Sequence, residues 1–173
     1  MEQTTTQTPW SVGIRYGLMT GLASVILSLI LNMTGLEQSP AKWLSLVVLV
    51  AGIVLAHNYF KQHNNGFMGY SQGLGIGAVL SGVTGVLSGI FSYIYVNFID
   101  PEFIARTMEK ARAEMEAKGN LSDEQIEQGI AMAGKFTNGP VMLIGAILGT
   151  LLFGFILSLI ISAVTKHTRP EFE

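Results

Sequence analysis

Three histidines are the residues of this sequence whose side chains could bind a transition metal. His57 and His63 lie six residues apart, which is a poor spacing for one helix face, and His167 is the remaining histidine. A zinc site takes three or four protein ligands, and the chain has no cysteine to supply one. The ligand count therefore predicts no metal site, and the pattern favours histidines that flank a turn at Asn65-Gly66.

Hydrolysis or proton transfer inside the long apolar runs would need an acidic or basic side chain beside a nucleophile. No Asp, Glu, Lys or His lies deep in these runs, so their serines have no nearby base. Such serines are better interpreted as small packing residues that hydrogen-bond to their own helix. We expect no catalytic residue and no cofactor. An enzyme acting on a lipid-linked substrate stays a third hypothesis, and its candidate polar residues are His57, His63, Asn64, Asn65 and Tyr70.

The composition indicates a membrane protein. Apolar residues make up 49% of the 173 residues and charged residues only 13%, about half the share of a soluble domain. Most charges lie at residues 100–135 and at the chain ends. The net charge of −2 gives no basic surface that would favour nucleic acid as a partner.

Four apolar runs, at residues 12–33, 43–60, 72–99 and 140–164, are each long enough to cross a bilayer as a helix. A cleaved signal peptide is the alternative for the first run, but the run is long for one and no clear cleavage site follows. We therefore predict an all-α, integral membrane four-helix bundle, with residues 1–173 forming a single membrane domain. The polar segment 100–139 is expected to form an extramembrane helical hairpin.

Small residues recur at four-residue spacing in three of the runs, a pattern that lets helices approach closely in lipid. The predicted helix-packing residues are Gly17, Gly21, Gly73, Gly77, Ser81, Gly85, Gly89, Gly145 and Gly149. The direct interpretation is that the third span is central and touches two neighbouring spans. The alternative is a homodimer face or a docking face for another membrane protein.

The polar segment carries helix start signals at Asp100-Pro101 and at Ser122, where Ser122 and Gln125 have the spacing of a capping box. A weakly apolar stripe follows the two predicted helices. Its members, a candidate partner surface, are Ile104, Met108, Met115, Ile126 and Ile130. The stripe favours either a hairpin that caps the bundle or a docking surface for a protein partner.

Lys and Arg in short loops predict the orientation. With four spans, both termini and the loop around residues 61–71 share one side, which holds Arg15, Lys61, Lys166 and Arg169. The other side holds more cations, but most lie among acidic residues in the longer segment 100–139. We expect the short, net-positive ends, and hence both termini, to be cytoplasmic.

One stretch resembles a known family. The second span ends in Tyr59, Phe60 and Lys61, then Asn64-Asn65-Gly66 leads into a glycine-rich third span. Further residues that carry the resemblance are Tyr93, Tyr95, Asn97, Phe98, Asp100, Pro101 and Phe103. This pattern is similar to the bacterial family catalogued as domain of unknown function 4199. The resemblance implies a four-helix inner-membrane protein with no established activity, from cell-envelope gene clusters that often include membrane glycosyltransferases.

Two classes of function follow as the leading hypotheses. The first is a non-enzymatic subunit or scaffold that sits in the lipid bilayer and assembles with itself or with an envelope membrane protein. The alternative is a small-solute carrier or channel that uses glycine-broken spans, with Ser81, Ser88, Ser92 or Thr150 lining a water-filled cavity.

Overall fold

The structure, a computed structural model, describes residues 7–36, 39–137 and 139–168. The described chain is helical. Its elements are α1 (Pro9–Thr34), a 3₁₀ turn (Pro40–Trp43), α2 (Leu44–Gln62), α3 (Tyr70–Ile94) with a π-helical extension (Tyr95–Ile99), α4 (Phe103–Lys118), α5 (Asp123–Phe136) and α6 (Gly139–Thr165). The all-α prediction is confirmed.

Four of these segments, Pro9–Thr34, Pro40–Gln62, Tyr70–Ile99 and Gly139–Thr165, are long and apolar enough to cross a membrane. Each one contains the corresponding apolar run expected from the sequence. Of the cations behind the predicted orientation, Arg169 lies outside the described residues.

Local sequence signals set several helix ends. The Thr8 hydroxyl accepts a hydrogen bond from the Ser11 N–H at the start of α1, and Gly35 ends α1 with a φ of 69°. Ser122 and Gln125 form both bonds of a capping box at the start of α5. Between α2 and α3, Asn65 and Gly66 both adopt positive φ, as their turn requires.

The chain divides into two compact units, residues 1–88 with 147–173, and residues 89–146. The first unit holds α1, α2, most of α3 and most of α6. The expected single domain stays a prediction. The core of the first unit consists of Val12, Leu49, Ile53, Ala56, Phe60, Met68, Ile76 and Leu80.

In the first unit, α3 runs parallel to α1. Three glycines of α1 face α3: Gly13 faces Val79, Gly17 faces Val83 and Gly21 faces Leu87. Residue numbers rise in both helices from one contact to the next, so the two helices point the same way. The Thr84 hydroxyl also donates a 3.2 Å hydrogen bond to the Gly17 carbonyl. Glycines on α1 therefore let the larger side chains of α3 pack directly on its backbone.

The same unit pairs α3 with α6 in the opposite direction. Small residues alternate across this seam, because Gly73 faces Ser162, Gly77 faces Ser158, and Ser81 faces Gly154. Ser81, Ser158 and Ser162 are fully buried. The hydroxyls of Ser81 and Ser162 have no hydrogen-bond partner within the described ranges. These three contacts are thus held by close packing, and a hydrogen bond between the two helices lies at their edge, where the Tyr70 hydroxyl donates to the Leu159 carbonyl oxygen at 3.4 Å.

In the second unit, α4 and α5 pack side by side. Arg112 forms a 2.7 Å salt bridge with Glu127, and a Cβ on Gly129 would lie 3.7 Å from the Met115 sulfur. Arg106 in the first turn of α4 forms a salt bridge with Asp100, which precedes the helix. The hydrogen bond from the Arg106 guanidinium lowers the pKa of the Asp100 carboxyl. The expectation that this helical pair lies outside the membrane stays a prediction.

Candidate functional site

His57 is a fully buried polar residue near the end of α2. It lies on the same helix face as Ile53 and Phe60, one turn before and one turn after it, and both are core residues. His63, the histidine six residues later, is exposed. The spacing to Ile53 and Phe60 was the signal that could have predicted its burial.

The His57 ring joins three helices. Its Nε2 lies 2.9 Å from the Gly73 carbonyl oxygen in α3, and its Nδ1 lies 2.9 Å from the Thr165 hydroxyl at the end of α6. A carbonyl oxygen only accepts, so this geometry assigns a proton to Nε2. The Thr165 hydroxyl donates its one proton to the Ile161 carbonyl oxygen in the previous turn of α6, at 2.7 Å. We call His57, Gly73 and Thr165 the histidine clamp.

Lys61, one turn beyond His57, continues the link between α2 and α6. Its ammonium donates a 3.3 Å hydrogen bond to the Thr165 carbonyl oxygen, where α6 ends. A cation at a helix C-terminus compensates the partial negative charge of the last carbonyl groups. Lys61 therefore stabilises the end of α6, and this hydrogen bond holds its side chain next to the histidine clamp.

The segments after α2 and after α6 pair with each other. Met68 and His167 form an isolated antiparallel bridge through two backbone hydrogen bonds of 2.8 Å and 2.9 Å. The His167 ring stacks on Phe67, with 5.3 Å between the ring centroids. This pairing fixes the backbone at Lys166 and His167 beside the end of α2.

A polar pocket of about 550 Å³ opens between these segments. Asn58, Lys61 and Gln62 line it from α2, and Thr165, Lys166 and His167 line it from the end of α6. We call it the basic pocket, because two lysines and no carboxylate line it among the residues that the structure describes. The sequence pattern of Lys61 and Lys166 predicted an orientation but not that the two residues lie in one pocket. Asn58, Lys61 and Gln62 form a polar stripe at helical spacing, and this pattern could have predicted the α2 wall of the pocket.

Arg15 and Tyr59 add a second polar contact at the same end of α2. The Arg15 guanidinium donates a 2.9 Å hydrogen bond to the Tyr59 hydroxyl and lies 5.0 Å from the centre of the Tyr59 ring. Tyr16 packs on the same ring at 5.4 Å. Within the described residues of the first unit the charged side chains are Arg15, Lys42, Lys61 and Lys166, all of them cations.

The comparison with known families gives one match. The family described as "Protein of unknown function (DUF4199)" matches residues 15–167. The chain belongs to this family. The resemblance inferred from the sequence is confirmed, and with the four apolar helices it makes the protein a membrane protein of the DUF4199 family. No curated protein and no solved structure matches the chain.

The predicted packing residues of this DUF4199 member fall into four groups. Gly17 and Gly21 face α3, whereas Gly73, Gly77, Ser81 and Gly85 face α6. Gly89 is buried. Gly145 and Gly149 have open space where a Cβ would lie, whereas Gly139 and Gly154 of α6 pack closely, on Tyr93 and Ser81 respectively. The α3 stripe is thus occupied by α6 of the same chain over residues 73–85.

Some residues of the candidate partner surface on α4 and α5 pack against other residues of the second unit. Ile126 is buried and Met115 approaches Gly129, whereas Ile104, Met108 and Ile130 are half-buried. The large exposed apolar side chains of α5 are instead Met132 and Phe136. The apolar surface that this pair offers therefore lies mainly toward the end of α5.

An apolar groove of about 630 Å³ runs between α1 and α3 in the first unit. Trp10, Ile14 and Leu18 line it from α1, and Ala78, Gly82 and Val86 line it from α3. Ala78 and Gly82 have the four-residue spacing of a helix-packing motif. We call this feature the α1–α3 groove.

Proposed function

We propose that this DUF4199 protein is a non-enzymatic membrane subunit or scaffold that assembles through the α1–α3 groove. Its partner is a second copy of the chain or a cell-envelope membrane protein, such as a membrane glycosyltransferase. The observation that carries the proposal is that the groove stays unfilled, whereas a neighbouring helix closes the seams at Gly17 and Gly77. Gly17 packs on Val83, and Gly77 packs on Ser158. Ala78 and Gly82 line the groove, and a Cβ on Gly82 would meet only the Leu151 side chain of α6, at an ordinary contact distance of 3.5 Å.

Close packing explains why an unfilled groove suits a helix. Lipid tails are as apolar as leucine, so helices associate in a bilayer through shape and close approach rather than through the hydrophobic effect. Small side chains at Ala78 and Gly82 allow a partner backbone to approach α3. Trp10, which is largely exposed, borders the same groove and offers a large aromatic contact.

The carrier or channel alternative needs small polar residues around a water-filled cavity near the middle of the bundle. Ser81, one of those residues, is fully buried against Gly154 of α6. Thr150 lies where a Cβ on Gly85 would meet it at 3.2 Å. These contacts weigh against a polar path between α3 and α6 and favour the subunit proposal.

A bulky side chain in the groove tests the proposal. We expect Val86→Trp, at a groove residue that is 42% exposed, to reduce assembly at least tenfold, because the indole fills the space that a partner helix would occupy. The matched control is Val47→Trp on α2, at a residue that is 60% exposed and outside the groove. Assembly is measured by native mass spectrometry and by pull-down from the host membrane. Equal assembly of the two variants would contradict this role of the groove.

We further propose that the protein lies in the inner membrane of a bacterium with both termini in the cytoplasm. The support is the charge of the end where α2 and α6 finish, which holds Arg15, Lys61 and Lys166 and no described carboxylate. Short loops rich in Lys and Arg stay on the cytoplasmic side during insertion.

A further inference from the structure

The basic pocket has the charge to bind an anion. Lys61 and Lys166 face it, and neither forms a salt bridge within the described part of the chain. Lys61 uses a hydrogen bond on the Thr165 carbonyl, which leaves two of the three donors of its ammonium for a ligand. The Asn58 and Gln62 amides lie one helical turn apart on the same wall and add neutral donors.

The ends of two helices at this pocket would ordinarily oppose an anion, because the last carbonyl groups of a helix carry partial negative charge. In α2 these carbonyl groups already accept hydrogen bonds from the loop. The His63 N–H bonds to Tyr59 and Phe60, and the Asn64 and Gly66 N–H groups bond to Lys61. In α6 the Thr165 carbonyl accepts from the Lys61 ammonium. Of the described residues that line the pocket, the two lysines therefore determine the sign of its charge.

An apolar path leaves the pocket along α6. Val164 lines the pocket and is 81% exposed. One turn apart along the same helix follow Ile160, Ile156 and Phe153, each exposed. A ligand that fits both features has a compact anionic group at one end and a hydrocarbon chain at the other.

We propose that the basic pocket binds the phosphate headgroup of an anionic membrane lipid, with a hydrocarbon chain of the lipid on the 153/156/160/164 face of α6. Phosphate oxygens accept hydrogen bonds from the two ammonium groups and from the Asn58 and Gln62 amides. Pockets of basic residues between membrane helices are suited to such headgroups. The inference does not depend on the assembly proposed above, since the basic pocket and the α1–α3 groove share no lining residue.

The test compares lipid retention by native mass spectrometry. The full chain is reconstituted in nanodiscs of phosphatidylcholine with a minor fraction of phosphatidylglycerol, and the lipids that remain bound are counted. We expect the unmodified chain to retain phosphatidylglycerol selectively. Lys166→Gln should weaken this retention about fivefold, the effect of about one cationic contact at a membrane surface. Lys166 is exposed, so its loss does not disturb the packing of the helices.

Lys42→Gln is the matched control, because it removes the same charge from an exposed lysine at the start of α2, away from the pocket. It should leave retention unchanged. An equal loss in both variants would show that net charge alone attracts the lipid, and the proposal would be wrong. Competition with millimolar glycerol phosphate and inorganic phosphate distinguishes a soluble anion from a lipid. Displacement of the lipid by either one would overturn the proposal, and lack of displacement supports it.

Discussion

At the scale of single residues, the histidine clamp connects parts of the chain that are distant in sequence. His57 contacts a carbonyl group in α3 and a hydroxyl group in α6 with its two ring nitrogens. A buried polar group left without a partner costs free energy, and so does the cavity left by a removed side chain. The clamp is therefore expected to stabilise the first unit well beyond what a surface histidine contributes.

His57→Ala tests the clamp. We expect it to lower the free energy of unfolding by about 3 kcal/mol, because it leaves a cavity and removes the hydrogen bonds of the His57 ring with Gly73 and Thr165. His63→Ala, at an exposed histidine one to two turns further along, is the matched control and should change stability by less than about 0.5 kcal/mol. Unfolding is followed by circular dichroism during titration with sodium dodecyl sulfate. Similar midpoints for the two variants would contradict the clamp.

The residues of the basic pocket show why sequence alone did not predict this site. Asn58, Lys61 and Gln62 form a stripe on one helix, but Lys166 and His167 lie about a hundred positions later. The spacing of residues within either group does not predict that the two groups lie close together in the fold. The two come together because the Met68–His167 bridge and the clamp hold the ends of α2 and α6 side by side.

At the scale of the elements, much of the helix pattern is local and could be predicted. The capping box at Ser122 and the turn at Asn65-Gly66 act through neighbouring residues, and the structure has both. The four apolar runs follow from hydropathy. Helix pairing could not be predicted in the same way, because a small-residue stripe has the same sequence whether it faces the same chain or another. Gly145 and Gly77 have similar patterns, but only Gly77 meets a neighbour.

Two glycines of α3 allow the seam with α6 to be tested directly. A side chain at Gly77 would overlap the Ser158 side chain, whereas Gly75 has open space around the same position. We expect Gly77→Leu to destabilise the protein by about 3 kcal/mol through overpacking. Gly75→Leu makes the same change in helix propensity and should be close to neutral. The two variants are compared by thermal unfolding in the same detergent, and equal melting temperatures would contradict the close contact between α3 and α6.

At the scale of the whole molecule, the charge distribution predicts the orientation in the membrane. The chain has no cysteine, so single cysteines can report which side each loop faces. We expect a membrane-impermeant maleimide to label His63→Cys only after the inner membrane is permeabilised. Asn120→Cys, between α4 and α5, should be labelled once the outer membrane is permeable. The reverse pattern of labelling would show that the termini face outward.

We propose that this DUF4199 protein works as a subunit within a larger membrane assembly. The most direct measurement is the mass of the tagged, unmodified protein extracted from its own host in native nanodiscs, with identification of what remains bound. We predict an assembly that contains a second copy or a stoichiometric membrane protein, and hence a mass well above the 18.7 kDa of one chain. A protein recovered alone as a monomer would contradict the account.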